Sequence, residues 1–284
     1  MKKECGWNNL HAVISMVLIY AFLIVGAVLI LFPMYMTIGN AFKTKREILH
    51  SIFSPPTSFY LENLRVAIFE QQAMRYLFNS FYTTASSTIL VITVIPMLAY
   101  GIIRNIERLI FKIMFFTIVS GIFIPFQIIM LPMIKQLNYL KLLSPLGLII
   151  MATIFGYPVN VFLYTGYLKT VPIEIEEAAI IDGCGVAKLF WSIVYALIKP
   201  MTATIIILHG LGTWNDFLLP NLLLNRDARM WTLPIFQYSF QSKFTTQYNM
   251  VYALFLFTII PITVLYIFTQ KYIIGGIVKG ALKG

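Results

Sequence analysis

Charge is what this 284-residue chain has least of: 11 Asp and Glu and 21 Lys and Arg leave 11% of the sequence charged against 59% hydrophobic. Soluble chains carry roughly a quarter of their residues charged, and at a mean hydropathy of +0.83 most of this one has lipid for a solvent. Six spans of about 20 residues would use roughly 120 positions and leave room for termini, connections and one sizeable loop. That excludes a large soluble catalytic domain. Cysteine is scarce too: Cys5 and Cys184, far apart and without CxxC spacing, supply neither a disulfide framework nor a metal site. There is no GxxxxGK[ST] stretch and no Gly-Lys dipeptide, so nothing here cradles a nucleoside triphosphate, and energy, if used, comes from elsewhere. Paired carboxylates and histidine clusters are missing as well, and His11 and His50 lack metal-ligand spacing, which argues against an integral membrane enzyme. The net charge of +10 reads as topology and headgroup contact before nucleic-acid binding.

What is present is a series of continuous apolar runs: Val13 to Ile38, about Ser80 to Ile103, Leu109 to Ile134, Leu146 to Leu168, Met201 to Leu224 and Met250 to Tyr272. Because they are continuous and do not alternate, they predict spanning helices and not barrel strands. The first run follows Lys2 and Lys3 but is too long for a secretory signal and lacks a small-residue cleavage pattern, so it reads as a retained helix. Pro96, Pro125, Pro132 and Pro158 fall inside or at the ends of runs and predict kinks. The polar stretch from Asn40 to Asn79 carries Lys43, Lys45 and Arg46, a turn at Ser54, Pro55 and Pro56, and helical spacing in Leu61, Leu64, Ile68 and Phe69. The chain thus divides into 1–40, an N-terminal segment with the first span; 41–78, an outer loop with a short helix; and 79–284, the core of the remaining spans. With the N-terminus inside, Arg104, Arg108, Lys112, Lys169, Lys188, Lys199, Lys271, Lys279 and Lys283 fall on the cytoplasmic side, as the positive-inside rule asks. The Lys43, Lys45 and Arg46 cluster falls on the outer side against it.

Residues 169–200 carry the most information. Four of the eleven acidic residues sit between Val171 and Gly183. Pro172 suits a first helical position, Glu174, Glu176 and Glu177 suit the positive end of a helix dipole, and Gly183 suits a left-handed cap. On the short helix this predicts, Ile175, Ala178, Ala179 and Asp182 share one face, a face that permits close approach by another protein's groove. A second helical stretch follows through Val186, Leu189, Phe190, Ile193, Val194 and Leu197 to Pro200. From the residues alone the pair is either an amphipathic hairpin on the membrane surface or a docking element for a soluble partner.

The string Glu177-Ala178-Ala179, then Gly183, then Phe190, Trp191 and Ile193, resembles the EAA signature of permease subunits of binding-protein-dependent ABC importers, in their carbohydrate-uptake (maltose and oligosaccharide) branch. The resemblance extends over Ala41-Phe42-Lys43-Thr44, Glu62-Asn63-Leu64, Asn79-Ser80, Trp214-Asn215-Asp216-Phe217, Thr232-Leu233-Pro234, and Gly275-Gly276 with Lys279 to Gly284. It implies an all-α MetI-like fold of six transmembrane helices in the cytoplasmic membrane of a prokaryote, with both termini and the EAA loop cytoplasmic. It also implies a companion permease subunit, two cytoplasmic ATPase subunits and an extracellular substrate-binding protein as partners. No cofactor is expected on this chain, with ATP and Mg on the partner ATPases. Glu177, Ala178, Ala179, Asp182, Gly183 and Ile175 become the ATPase-coupling residues. Tyr195-Ala196 stands where the family usually has Leu-Pro, which predicts a straighter or longer second cytoplasmic helix. The competing readings are an amino-acid or peptide permease and, further off, an ion-coupled secondary transporter, which would need charged or broken helices near the midplane and an internal repeat.

Asp216, flanked by Trp214 and Asn215, is the one acidic residue inside an apolar run. Intramembrane ionisable groups mark pathways, but an interfacial solvated carboxylate fits equally, so the three are candidate pathway residues with that alternative open. His209 precedes Asp216 by seven residues, about 10 Å along a helix, too far for a dyad. With Gly210 and Gly212 it predicts a close helix crossing. The last outer loop, about Asn225 to Asn249, holds Trp231, Phe236, Tyr238, Phe240, Phe244 and Tyr248. These are an aromatic belt or a protein contact, with Trp231 and Tyr238 as candidate binding-protein contacts.

Overall fold

The computed structural model describes residues 5–240 and 247–281; Lys2, Lys3, Phe244 and Leu282 to Gly284 lie outside the described residues, as do the side chains of His11, Lys271 and Lys279. Every regular element among the described residues is helical. The chain divides into two compact units, Met1–Gln71 with Phe240–Phe257, and Gln72–Ser239 with Thr258–Gly284.

In the first unit, α1 (Cys5–Ala41) leaves its apolar side chains from Val13 to Leu31 exposed, as a helix bathed in lipid does. A capping box starts α2 (Lys45–His50): Glu47 N donates to Thr44 Oγ1 while Thr44 N donates to Glu47 Oε2. Lys43 is 1% exposed, and its ammonium donates to Ser51 O (3.1 Å) and Ile52 O (3.4 Å). Burial holds its pKa below the usual lysine value, with Glu47 opposing. The charge that offended the positive-inside count is thus committed to backbone carbonyls. The spacing of Leu61 to Phe69 is realised as a helical turn, Glu62–Arg65, running into a π turn, Val66–Glu70. Asn63 fastens it, donating to Ala41 O (3.0 Å) and Lys43 O (2.8 Å) and accepting from Asn249 Nδ2 (2.9 Å).

The second unit is built on α3 (Ala73–Arg104), followed by α4 (Leu109–Ser120) and α5 (Phe126–Tyr139). The third apolar run, expected as one span, is therefore broken: a 3-10 turn at Gly121–Phe123 and Pro125 separate two pieces at 103°. Proline supplies no N–H to continue the ladder. Next come α6 (Pro145–Leu168) and the eight-residue α7 (Glu174–Ile181). The helical segment α8 (Val186–Leu197) contains a π turn at Leu189–Val194 and stands at 73° to α9 (Lys199–Asn215). The bend sits at Ile198, whose φ −88° and ψ 3° leave the helical region. The second cytoplasmic helix, expected to be straighter or longer at Tyr195-Ala196, carries that π turn and ends at Ile198, two residues before Pro200, which has no N–H to continue the ladder. The fifth run also stops early, at Asn215, and resumes as α10 (Leu218–Leu224), followed by α11 (Leu233–Ser239) and α12 (Tyr248–Ala281), whose first ten residues group with the first unit.

Among the described residues, four helices are long and apolar enough to cross a membrane, and up to six crossings result when each bent pair counts as one. Side chains order the ends of this unit. Val91, Ile95, Ile102, Tyr164, Leu168, Phe190 and Ile205 share a core with Phe111 of α4 against it. A separate core joins Leu137 of α5 to Leu148, Leu219, Leu223 and Ile235. Arg104 meets Val171 and Glu176, while Asn79, near the other end of α3, meets Arg229 and Trp231. The α4–α5 pair thus runs from one end to the other and is a broken span. Tyr164 Oη donates to Thr202 Oγ1 (3.2 Å) and Tyr195 Oη to Ile92 O (3.1 Å), interhelical bonds worth about 0.6 kcal/mol each in lipid.

Candidate functional site

The first candidate region is α7 and its turn. Gly183 has φ +81° with open space around a would-be Cβ, so the turn needs glycine for its backbone and not for room. Gly183 N donates to Ile180 O and Cys184 N to Ala179 O, both at 3.0 Å, closing the carbonyls that end α7. Ile175, Ala178, Ile181 and Asp182 point outward with Glu177, and Ile181 is 85% exposed. Ala179, grouped above with Ile175, Ala178 and Asp182, is turned the other way and buried against its own chain, as is Glu176. At 100° per residue, positions 176 and 179 form the inner stripe of the helix. The outer stripe is an apolar line flanked by Glu174, Glu177 and Asp182.

Glu176 went unremarked as a site residue in the sequence, yet both its oxygens are engaged. Oε1 accepts from Arg104 Nε (3.0 Å) and from its Nη2, and Oε2 accepts from Tyr100 Oη (2.8 Å). The available signal was the Glu176-Glu177 pair itself, since adjacent residues on a helix cannot face the same way.

The second region is a cavity of about 500 Å³ within the second unit, lined by Asn160, His209, Thr213, Asp216, Phe126 and Phe155 among others. Both helix interruptions open onto it: Gly121, Ile122 and Ile124 from the α4–α5 break, and Asp216 and Leu218 from the α9–α10 break. Non-helical backbone at membrane depth is tolerated where it is packed in protein or lines water, and a cavity at two such breaks meets that condition. Gly156 shapes its wall: a Cβ there would lie 2.7 Å from His209 Nδ1 and 3.1 Å from Asn160 Nδ2. The close crossing at His209 thus depends on a glycine of the opposing helix. Of Gly210 and Gly212, expected to make it, Gly210 is buried and Gly212 has open space around a would-be Cβ. Asn160 is 3% exposed.

The three pathway candidates part company here. Asp216 lines the cavity and its Oδ1 accepts from Leu218 N (3.0 Å) and Leu219 N (3.4 Å), capping α10. Asn215 is exposed and turns back to donate to Leu211 O (3.0 Å). Trp214 is buried and lines a separate, apolar cavity of about 310 Å³ with Thr88; neither Trp214 Nε1 nor Thr88 Oγ1 has a hydrogen-bond partner. The outer-loop candidates separate too. Tyr238 is 56% exposed beside Phe217, whereas Trp231 is turned inward toward Tyr76, its carbonyl held by Asn79 Nδ2 (2.9 Å). Phe236 is buried and stacks on Tyr76 at 4.1 Å. Asp227, near that loop's start, is held below the usual aspartate range by hydrogen bonds from Arg229.

Comparison with known proteins places this architecture. The profile of the binding-protein-dependent transport system inner membrane component family matches residues 92–277. A multiple sugar-binding transport system permease protein of Streptococcus mutans is 39% identical over 266 residues, covering 93% of this chain and 96% of that protein. A probable starch degradation products transport system permease protein of Thermoanaerobacterium thermosulfurigenes is 33% identical, covering 88% and 91%. The crystal structure of a bacterial ABC transporter that imports the acidic polysaccharide alginate contains a chain that superposes with a TM-score of 0.79 at 19% identity, over 96% of this chain and all of that one, a likeness of fold. Membership in this family implies an ATPase and a substrate-binding protein as partners in general terms. With a family profile over most of its length and relatives aligned nearly end to end, the chain belongs to the binding-protein-dependent inner-membrane components, the multi-pass permease subunits of ABC importers.

Proposed function

We propose that this permease subunit carries a sugar or oligosaccharide inward, sharing its pathway with a companion permease and receiving its drive through α7 from cytoplasmic ATPase subunits. The observation that carries this reading is the outer stripe of α7. Ile175, Ala178 and Ile181 stand exposed on a segment that Lys169 and Lys188 flank in the sequence, and an exposed apolar line rimmed by charge marks a contact surface. Its acidic flank suits a groove rimmed by basic residues. The carbohydrate assignment rests on the sugar and starch-product transport of the two relatives. The cavity at Asn160, His209 and Asp216 suits it, since amides, imidazole and carboxylate are the groups that bind hydroxyls. On this reading both termini are cytoplasmic, Tyr238 faces the substrate-binding protein, ATP and Mg stay on the ATPase subunits, and closure of those subunits shifts the permease between inward- and outward-open populations.

The test is reconstitution of the chain with its companion permease and ATPase in proteoliposomes, with a panel of oligosaccharides, amino acids and peptides supplied on their binding proteins. Stimulated ATP hydrolysis and uptake with a carbohydrate are expected. Stimulation by an amino acid or peptide alone would overturn the substrate class. Absence of a bound ATPase would overturn the role of α7. For the cavity, Thr213→Cys in a background lacking Cys5 and Cys184 should react with a water-soluble thiol reagent in one nucleotide state and be protected in the other.

A further inference from the structure

Glu176 and Glu177 are neighbours with opposite environments: the first is 4% exposed and the second open to solvent. The buried carboxylate is spent wholly on the last turn of α3, on the guanidinium of Arg104 and the hydroxyl of Tyr100. Arg104 reaches one step further, its Nη2 donating to Val171 O (3.3 Å) just ahead of α7. Its guanidinium also lies 5.9 Å from the centre of the Tyr100 ring, and that ring lies 5.5 Å from Phe190 of α8. Farther along α8, Tyr195 Oη donates to Ile92 O of α3 (3.1 Å).

We infer that Tyr100, Arg104 and Glu176 tie α7 to α3 so that the two move as one body, with α8 held to the same body by Tyr195. This rests on the reading that α7 receives the ATPase. An eight-residue helix cannot hold its own shape in water, and a load applied to its outer stripe would unwind or tilt it unless its inner stripe were fixed. The tie fixes it with a buried ion pair, which resists opening because separating the partners leaves an uncompensated charge. Compliance then lies at Ile198, the non-helical joint where α8 and α9 meet at 73°. These three are positioning residues, acting on substrate only through the helices they connect.

The experiment uses the whole complex in nanodiscs, with Cys5 and Cys184 replaced by serine and spin labels introduced by Ile180→Cys, exposed on α7 outside the outer stripe, and Met97→Cys on α3. With the tie intact, the distance between labels should keep one narrow distribution with and without trapped ATP. Glu176→Gln should retain the bound ATPase, broaden that distribution, and lower substrate imported per ATP hydrolysed by about tenfold or more. Reversal of the pair, Arg104→Glu with Glu176→Arg, should recover part of the loss. If Glu176→Gln fails to assemble, Tyr100→Phe keeps the ion pair and removes one hydrogen bond, and a fall of a few-fold in the same ratio is expected. A distance that changes with nucleotide while the tie is intact would overturn the proposal, as would an unchanged import-to-hydrolysis ratio in Glu176→Gln or, where that variant does not assemble, in Tyr100→Phe. If no ATPase binds the unsubstituted chain, it is the docking role of α7 that fails.

Discussion

Two surface segments of similar length, 42–71 and 169–200, are finished in opposite ways. The first turns its polar groups onto its own backbone: Lys43 is sunk among carbonyls, Asn63 makes three side-chain hydrogen bonds, and Glu47 caps α2 and receives Thr57. The second fixes only its inner stripe, through Glu176 and Ala179, and leaves Ile175, Ala178, Ile181 and Val186 uncovered. Both obey the rule that buried polar groups find partners. Both also leave apolar side chains exposed, Leu49, Phe53, Phe59, Leu61 and Phe69 in the first and Ile175, Ile181 and Val186 in the second, so what differs is where the buried polar groups are spent: on the segment's own backbone in the first, on the distant Arg104 and Tyr100 in the second.

The sharpest way to break this comparison is to burden each segment in turn. Ile181→Glu should cut ATPase copurification by about tenfold or more while expression persists, since interface energy concentrates in a few buried apolar side chains. Asn63→Ala should instead loosen its own segment by about 1–3 kcal/mol, seen as faster proteolysis near Ser54 with the ATPase still bound. The reverse pattern would dissolve the distinction. A finer cut uses neighbouring alanines. Ala179→Leu overfills an inner position and should lower the thermal stability of the chain itself, by about 1–3 kcal/mol. Ala178→Leu should leave that stability alone and weaken docking a few-fold.

At Gly183 the effect should be smaller and purely conformational. With open space about its Cβ and φ +81°, Gly183→Val should strain the turn by about 1 kcal/mol or more and weaken ATPase binding. Gly183→Asn, tolerant of left-handed backbone, should do less. If valine and asparagine behave alike, the turn relaxes and its handedness carries nothing. The smallest effect concerns acid. Hydrogen bonds from Thr57 and Thr44 pull Glu47 down to about 2, so its stabilisation of α2 is present above the ordinary glutamate range near 4.5 and disappears as pH falls through about 2. Protease resistance of 42–71 should therefore hold at pH 4, and Glu47→Gln should weaken it at both pH 4 and pH 7.

Much of this was legible in the residues. Continuous apolar runs located the spans, the Leu61 to Phe69 spacing located a helical turn, and the Gly183 pattern located the left-handed turn. The capping box at Thr44 and Glu47 was equally readable, yet a search for apolar periodicity passes over so polar a helix as α2. The sharpness of the breaks at Gly121–Pro125 and Ile198 was less legible, for another reason. Hydropathy averages over a window and is blind to where the ladder stops, although Pro125 predicts a kink and Pro200 an end to the second cytoplasmic stretch, so it is the size of the two bends that was hidden. Hidden most deeply were the inner and outer faces of α7. Which glutamate turns inward is decided by Arg104, 72 residues away, and local spacing holds no record of so distant a partner. The gathering of Asn160 and His209 around Gly156 has the same cause.

The turn that closes α7 places Cys184, a free cysteine, half-buried directly after Gly183. The chain therefore carries its own reporter at the edge of the surface a partner would cover. The rate at which a maleimide modifies it becomes a footprint of occupancy, slow when a subunit is seated and fast when it leaves. With Cys5 replaced by serine, assembly could then be timed in vesicles without introducing any new cysteine or tag.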